Sequence, residues 1–186
     1  MKPEKIGIMQ PYFFPYLGYW QLIHAVDVFV VYDDGKMITN GWIHRNRMLN
    51  FDGKSPRTIG VPLKKKMVKY LTHSLQTVCD YLDIKTRFVM SSTIDKTGCE
   101  SVEDKAERIC KTIGITHYIN PIGGTEFYNK DEWAKRGLTL NFLRRRDSIR
   151  YLQFGGDFVP DLSIIDMLMF CSKEEIQEML NEYDLV

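Results

Sequence analysis

No stretch of this chain comes near the roughly 20 consecutive apolar residues that a membrane-spanning helix needs. The N-terminal MKPEKIGIM carries only about four apolar residues before Gln10, too few for the apolar region of a secretory signal. Charge of one sign is equally scarce: 25 Lys and Arg against 24 Asp and Glu leave a net charge of +1. Neither a nucleic-acid footprint nor a membrane-surface footprint is therefore expected. The four cysteines, Cys79, Cys99, Cys110 and Cys171, show no CxxC spacing and no nearby histidine pair. They read as reduced thiols of a cytoplasmic protein, and no metal site is expected. The motifs G-x-G-x-x-G, G-x-x-x-x-G-K-[ST] and G-x-S-x-G are missing too, which removes the commonest dinucleotide, P-loop and serine-hydrolase readings. Repeats, low-complexity tracts and linkers are lacking, so residues 1–186 read as a single domain, long enough to bury a real core.

What the sequence does have is an aromatic crowd at its start. QPYFFPYLGYWQL, residues 10–22, places two prolines, a glycine and six aromatic residues directly behind the apolar run 6–9. An ordinary strand-to-helix link is short and polar; this one is rigid and apolar, either a buried plug or the wall of a pocket. Because Tyr12, Phe13, Phe14, Tyr16, Tyr19 and Trp20 are too many for one short plug, the loop is expected to line the ligand pocket. Residues 6–9 read as a strand, 19–26 as a helix by the spacing of their apolar residues, and 28–32 as a second buried strand. Strand, helix and strand within about thirty residues form a βαβ unit with parallel strands. The expected fold is α/β, a single domain with a mostly parallel Rossmann-like sheet. In such a sheet ligands gather at the carboxyl ends of the strands, where the aromatic loop and the Asp33–Asp34 pair both fall.

Farther along, GWIHRNRMLN (residues 41–50) predicts a hairpin or extended arm after a turn at residues 39–41, and 57–63 a further strand. Residues 71–83 and 101–113 have helical periodicity, the second stopped by Gly114. ITHYINPIGG gives a short strand and a Pro/Gly turn, residues 133–143 a helix, a glycine stop and a strand, and the last segment two helices broken near Cys171–Ser172, the second capped by Ser172.

Several residues could carry chemistry, each with a plainer alternative. Asp33 and Asp34 either bind and accept protons at the sheet edge or merely end a strand. In an extended arm Trp42, His44 and Asn46 share one face and Ile43, Arg45 and Arg47 the other; arginine forks match phosphate or carboxylate, and tryptophan offers a stacking face. The alternative is a solvated hairpin. Lys64, in the run 64–66, reads as a solvated loop or an attraction for phosphates. Ser91, Ser92 and Thr93 precede a helix and could hold phosphate oxygens. His117, Tyr118 and Asn120, with Gly123 and Gly124, combine polar groups with a turn that lets a ligand approach closely. Ser163 and Asp166 share one side of a helix start. An aspartate in the apolar company of Ile164, Ile165 and Met167 is paired or functional, and an anchoring role toward an arginine or a backbone turn is the stronger expectation.

Taken together, IGIMQPYFFPYLGYWQLI, DVFVVYDD, GWIHRNRM, THYINPIGG, YLQF and LSIIDMLMF resemble the WbqC-like family in order and over nearly the whole chain. The resemblance implies a bacterial protein of surface-polysaccharide (O-antigen) biosynthesis that transfers glycine or a similar amino acid onto an amino sugar. Matching positions are Gln10, Pro11, Pro15, Gly18, Asp33, Asp34, Trp42, Arg45, Asn46, Tyr118, Gly124, Ser163 and Asp166. The chain departs from the family at Gly35-Lys36-Met37, His44 and Pro160-Asp161-Leu162, which bears on substrate choice more than on fold. A weaker likeness is to HIGH-type nucleotidyl transferases, with Tyr16 and Tyr19 in place of the loop histidines and Lys96 in place of the arginine of the SST turn. That plan would use ATP to form an acyl adenylate.

The expected activity is therefore amide formation between an amino acid and an amino-sugar nucleotide, with Asp33, Asp34 and His117 as catalytic groups. The expected binding residues are Gln10, Pro11, Tyr12, Tyr16, Gly18, Tyr19, Trp42, His44, Arg45, Asn46, Lys64, Ser91, Ser92, Thr93, Tyr118, Asn120, Gly123, Gly124, Ser163 and Asp166. The alternative is a non-catalytic module that binds a sugar nucleotide or stabilises a complex. The expected partners are small molecules, with a homodimer left open.

Overall fold

The computed structural model describes residues 4–35, 41–62, 67–155 and 157–186. Strand β1 (Lys5–Met9) leads through α1 (Leu17–Ala25) to β2 (Val28–Val31), and an antiparallel hairpin β3 (Arg45–Leu49) and β4 (Pro56–Gly60) follows. Then come α2 (Met67–Tyr81), β5 (Arg87–Met90), α3 (Val102–Ile113), β6 (His117–Pro121), α4 (Lys130–Lys135) and β7 (Thr139–Arg145). Helices α5 (Ile164–Phe170) and α6 (Lys173–Met179) precede a last short strand, β8 (Tyr183–Leu185). Among the described residues the main sheet runs β5-β2-β1-β6-β7-β8, parallel throughout except for β8. Numbered within that sheet, the order is 3-2-1-4-5-6, that of doubly wound folds. The expected βαβ unit is present, with Ile6 opposite Val28 and Met9 opposite Val31 in parallel register.

Near-continuous apolar strands follow from burial on both faces. Phe29, Val31, Ile119 and Leu143 pack toward α1, α2, α5 and α6. Their neighbours Val28, Val30, Tyr118 and Phe142, with Ile6 and Ile8 of β1, pack toward α3 and α4. Helix α1 is buried from Leu17 to Ile23, including Gln21, whose amide donates to the Met179 and Glu182 carbonyls at 2.8 and 3.1 Å. Each large apolar side chain so buried contributes about 1.5–3 kcal/mol relative to exposure.

The aromatic loop is mostly core, which corrects the expectation that its rings form a pocket wall. Phe13, Tyr19 and Trp20 are buried. Phe13 packs with Ile43, Met67 and Leu71, and the Trp20 indole N–H donates to the Pro15 carbonyl at 2.9 Å. The loop is pinned from afar. Ser163 Oγ and Asn46 Nδ2 both donate to the Phe14 carbonyl, at 2.7 and 2.8 Å, and Ile164 N donates to the Pro15 carbonyl at 3.0 Å. Phe14 itself has φ +39°, a conformation that costs energy outside glycine and needs such surroundings to persist.

The arm is the expected hairpin, but its face alternation begins only at Arg45. Trp42 precedes the strand, so the guanidinium carbons of both Arg45 and Arg47 reach its ring, at 5.4 and 5.6 Å from the centroid. The expected 39–41 turn falls mostly outside the described residues, as does Lys64. The final helical segment stops earlier than expected: residues 183–185 pair antiparallel with β7.

Candidate functional site

From β1 the chain moves to β2 and β5 on one side, then returns to β6 and β7 on the other. At this crossing the loops after β1 and β6 diverge and leave a crevice at the carboxyl ends of the strands. A cleft of about 810 Å³ occupies it. Ile8, Met9 and Gln10 from β1 and its exit, and Tyr32 and Asp34 after β2, form one side; Asn120, Pro121, Gly123 and Gly124 after β6 form another. Helix α3 supplies Val102, Ala106 and Ile109, and Phe127 and Tyr128 close the wall.

Of the residues expected to form the site, Gln10, Tyr12, Asp34, Tyr118, Asn120, Gly123 and Gly124 line this one cleft. Asp34 is held at its rim by Lys96, Nζ to Oδ2 3.0 Å. Burial would raise the Asp34 pKa, but the hydrogen bond and charge of Lys96 outweigh it and hold the carboxyl below its ordinary value. The Lys96 ammonium is fixed in turn by the Ser91 carbonyl and, at 2.8 Å, by that of Ile94. Asp33 points elsewhere. Its carboxylate accepts the Ser92 backbone N–H at 2.8 Å and the Ser92 hydroxyl at 2.6 Å, tying the end of β2 to the one-turn 3₁₀ helix of Ser91–Thr93. Thr93 Oγ1 donates to the Met90 carbonyl at 2.7 Å. The SST turn thus engages the aspartates, and the aspartates take these partners rather than Arg45, whose Nε donates to the Gly41 carbonyl at 3.2 Å.

At the floor of the cleft Asn120 is 5% exposed. The Tyr118 hydroxyl donates to its Oδ1 at 3.1 Å. Tyr118 is locked by Trp133, stacked at 5.0 Å, and by Tyr128, edge-on at 6.1 Å. A Cβ on Gly124 would lie 1.7 Å from Asn120 Nδ2, so only glycine leaves room for the amide.

Tyr16 and Gly18 border a second cleft of about 420 Å³ with Leu143, Arg144, Arg145 and Asp161, and Pro121 lines both clefts. Arg145 lies 3.4 Å from Asp161 and 3.6 Å from Asp147; Arg144 makes no ion pair among the described residues.

The remaining expected residues do not join the cleft. His117 opens β6 at the opposite edge of the sheet, with Nε2 2.8 Å from Asn141 Oδ1. Tyr19 is buried and donates to the Gln10 carbonyl at 2.6 Å, and Pro11 is buried beside a small hollow shared with Asp33 and Ile43. Trp42, His44, Arg45 and Asn46 belong to the arm. Ser163 caps α5, and Asp166 accepts the Leu49 N–H and the Tyr151 hydroxyl, each at 2.8 Å; its partners are a backbone amide and a phenol rather than an arginine. Sequence reasoning missed the α3 wall and Tyr128, and had Lys96 only as the counterpart of an arginine in the SST turn, not as the partner of Asp34. The signal for the wall was the apolar stripe of Val102, Ala106 and Ile109, whose first member is 58% exposed in the fold.

Among the described residues no group of three or more His, Cys, Asp or Glu is placed to hold a metal ion, and no helix is long and apolar enough to cross a membrane. All four cysteines are free thiols.

Fold and cleft define a doubly wound α/β protein with a switch-point site. The chain belongs to the WbqC-like protein family, whose model matches residues 10–69 and 63–178. It is similar to the uncharacterized protein Rv1507c of Mycobacterium tuberculosis (strain ATCC 25618 / H37Rv), 22% identical over 219 residues that cover 89% of this chain and 93% of that one. No solved structure matches the chain. The likeness to HIGH-type nucleotidyl transferases is not carried by these matches.

Proposed function

We propose that the protein is a transferase of surface-polysaccharide biosynthesis that joins glycine or another amino acid to the amine of an amino-sugar nucleotide. The observation that carries this reading is the switch-point cleft with the Asp34 carboxylate, held ionised by Lys96, at its rim. The cleft combines apolar walls with a few fixed polar groups, the composition of small-molecule sites, and its volume admits a ligand of sugar-nucleotide size. The neighbouring cleft with Arg144 and Arg145 lies across Pro121 and suits the phosphates.

Amide formation needs the sugar ammonium to lose a proton before its nitrogen attacks the acyl carbon. Asp34 accepts that proton, and the bond from the acyl carbon to the leaving oxygen then breaks with its electrons on the oxygen. The donor is an activated carboxyl, an acyl adenylate made with ATP or one that arrives already activated.

The test incubates the protein with amino-sugar nucleotides and glycine, with and without ATP, and looks by mass spectrometry for a product heavier by a glycyl unit. Asp34→Asn is expected to fold and to lose about 10²-fold or more in turnover, the scale for a general base. Full activity in that variant removes the base role. Binding without turnover for every activated donor replaces the transferase with a sugar-nucleotide-binding module.

A further inference from the structure

Asn120 has one polar atom too many for the fold. Its Oδ1 is taken by the Tyr118 hydroxyl, while Nδ2 makes no hydrogen bond among the described residues and is not one of their fully enclosed unpaired atoms, so in a residue only 5% exposed the amide nitrogen is what opens on the cleft. Buried amides are ordinarily satisfied, and one left open at a cleft floor marks a ligand's place. The orientation is enforced twice. Tyr118, clamped between Trp133 and Tyr128, draws Oδ1 toward itself and so turns the two amide hydrogens the other way. Gly124 supplies the space beside Nδ2 that any side chain would fill. The walls of the same cleft include apolar side chains, Ile8 on the sheet and Ala106 and Ile109 on α3. The first turn of α3 is already occupied by its own acids: Ser101 and Asp104 form a reciprocal capping box and Glu103 sits beside them. Glu103 and Lys105 both line this wall and Asp104 is paired with Arg136, so the α3 end of the cleft offers phosphate no excess of positive charge, and its apolar lining favours an uncharged ring.

We infer that this part of the cleft is a nucleobase pocket in which Asn120 Nδ2 donates to an exocyclic carbonyl oxygen, selecting keto bases over amino bases. The inference rests on the proposed sugar-nucleotide substrate for its ligand class. An amide donor facing a carbonyl is satisfied, whereas facing an exocyclic amine it meets a second donor and both are stranded.

The experiment is calorimetric titration of the full chain with UDP against CDP and with GDP against ADP. The expected result is a preference of about tenfold or more for at least one keto member of these pairs, the scale of discrimination by a well-placed base contact. Asn120→Asp keeps an acceptor for Tyr118 and offers the ligand an acceptor in place of a donor, so the preference reverses toward the amino base of that pair. Tyr118→Phe releases the amide to turn either way and flattens the preference while thermal unfolding confirms a folded protein. Where Asn120→Asp does not fold, the wild-type preference and its loss in Tyr118→Phe decide. Equal affinity for both members of each pair, equal weakening of both by Asn120→Asp, or no nucleotide binding overturns the inference. Selective nucleotide binding with no amide product leaves it standing and overturns the transferase instead.

Discussion

Asp166 keeps a carboxylate at 1% exposure, and two donors from distant parts of the chain answer it, the Leu49 amide and the Tyr151 hydroxyl. Burial, then the bond to Asp166, pushes the Tyr151 phenol far up; it remains a donor throughout the working range of a protein. Tyr151→Phe leaves one carboxylate oxygen without its partner and is expected to cost about 1–3 kcal/mol, the penalty for an unsatisfied buried group, read from urea unfolding at neutral pH. The sequence signalled that Asp166 had to be paired, because apolar neighbours surround it, but a partner 117 residues away leaves no local trace. The aromatic loop shows the same limit. Six rings in thirteen residues could be counted, yet whether a ring faces a cavity or a core depends on elements that arrive later, and Tyr12 alone of them borders the main cleft.

At the scale of elements, local chemistry was readable wherever the residues that shape an element lie within it. Helix α3 ends at Gly114, φ +83°, as its sequence suggests, and begins at a Ser101–Asp104 capping box that lies wholly within four residues of sequence. Ser101→Ala is expected to lower stability by about 1 kcal/mol, measured as a shift of the denaturant midpoint without a change of slope. Strand β8 was not readable, because three residues carry no periodicity and become a strand only by pairing with β7. Of the site, the loop ends of β1, β2 and β6 were legible as strand exits. The α3 wall was not, since an apolar helix face looks the same whether a sheet or a ligand covers it.

Over the whole molecule the carboxylates set the acid limit. Hydrogen bonding to Arg136, then to Ser101, depresses Asp104 to about 2 from 3.8, and Asp34 is lowered as well. The folded chain thus binds fewer protons than the unfolded one between these values, so this stabilisation is complete above about pH 4 and is lost as the pH falls toward 2. Thermal unfolding followed from pH 5 to 2 is expected to show a falling midpoint, with a shallower fall in Arg136→Gln. A different consequence follows from the pinned aromatic loop. Its Phe14 carbonyl meets Asn46 early but gains its second donor only from Ser163, 149 residues downstream, and β1 waits for His117 and Tyr118 to cover its second edge. A chain leaves the ribosome N-terminus first. Until β6 emerges, one edge of the apolar central strand therefore stands open on the nascent chain, and the loop behind it gains its last tie only with the final quarter of the protein.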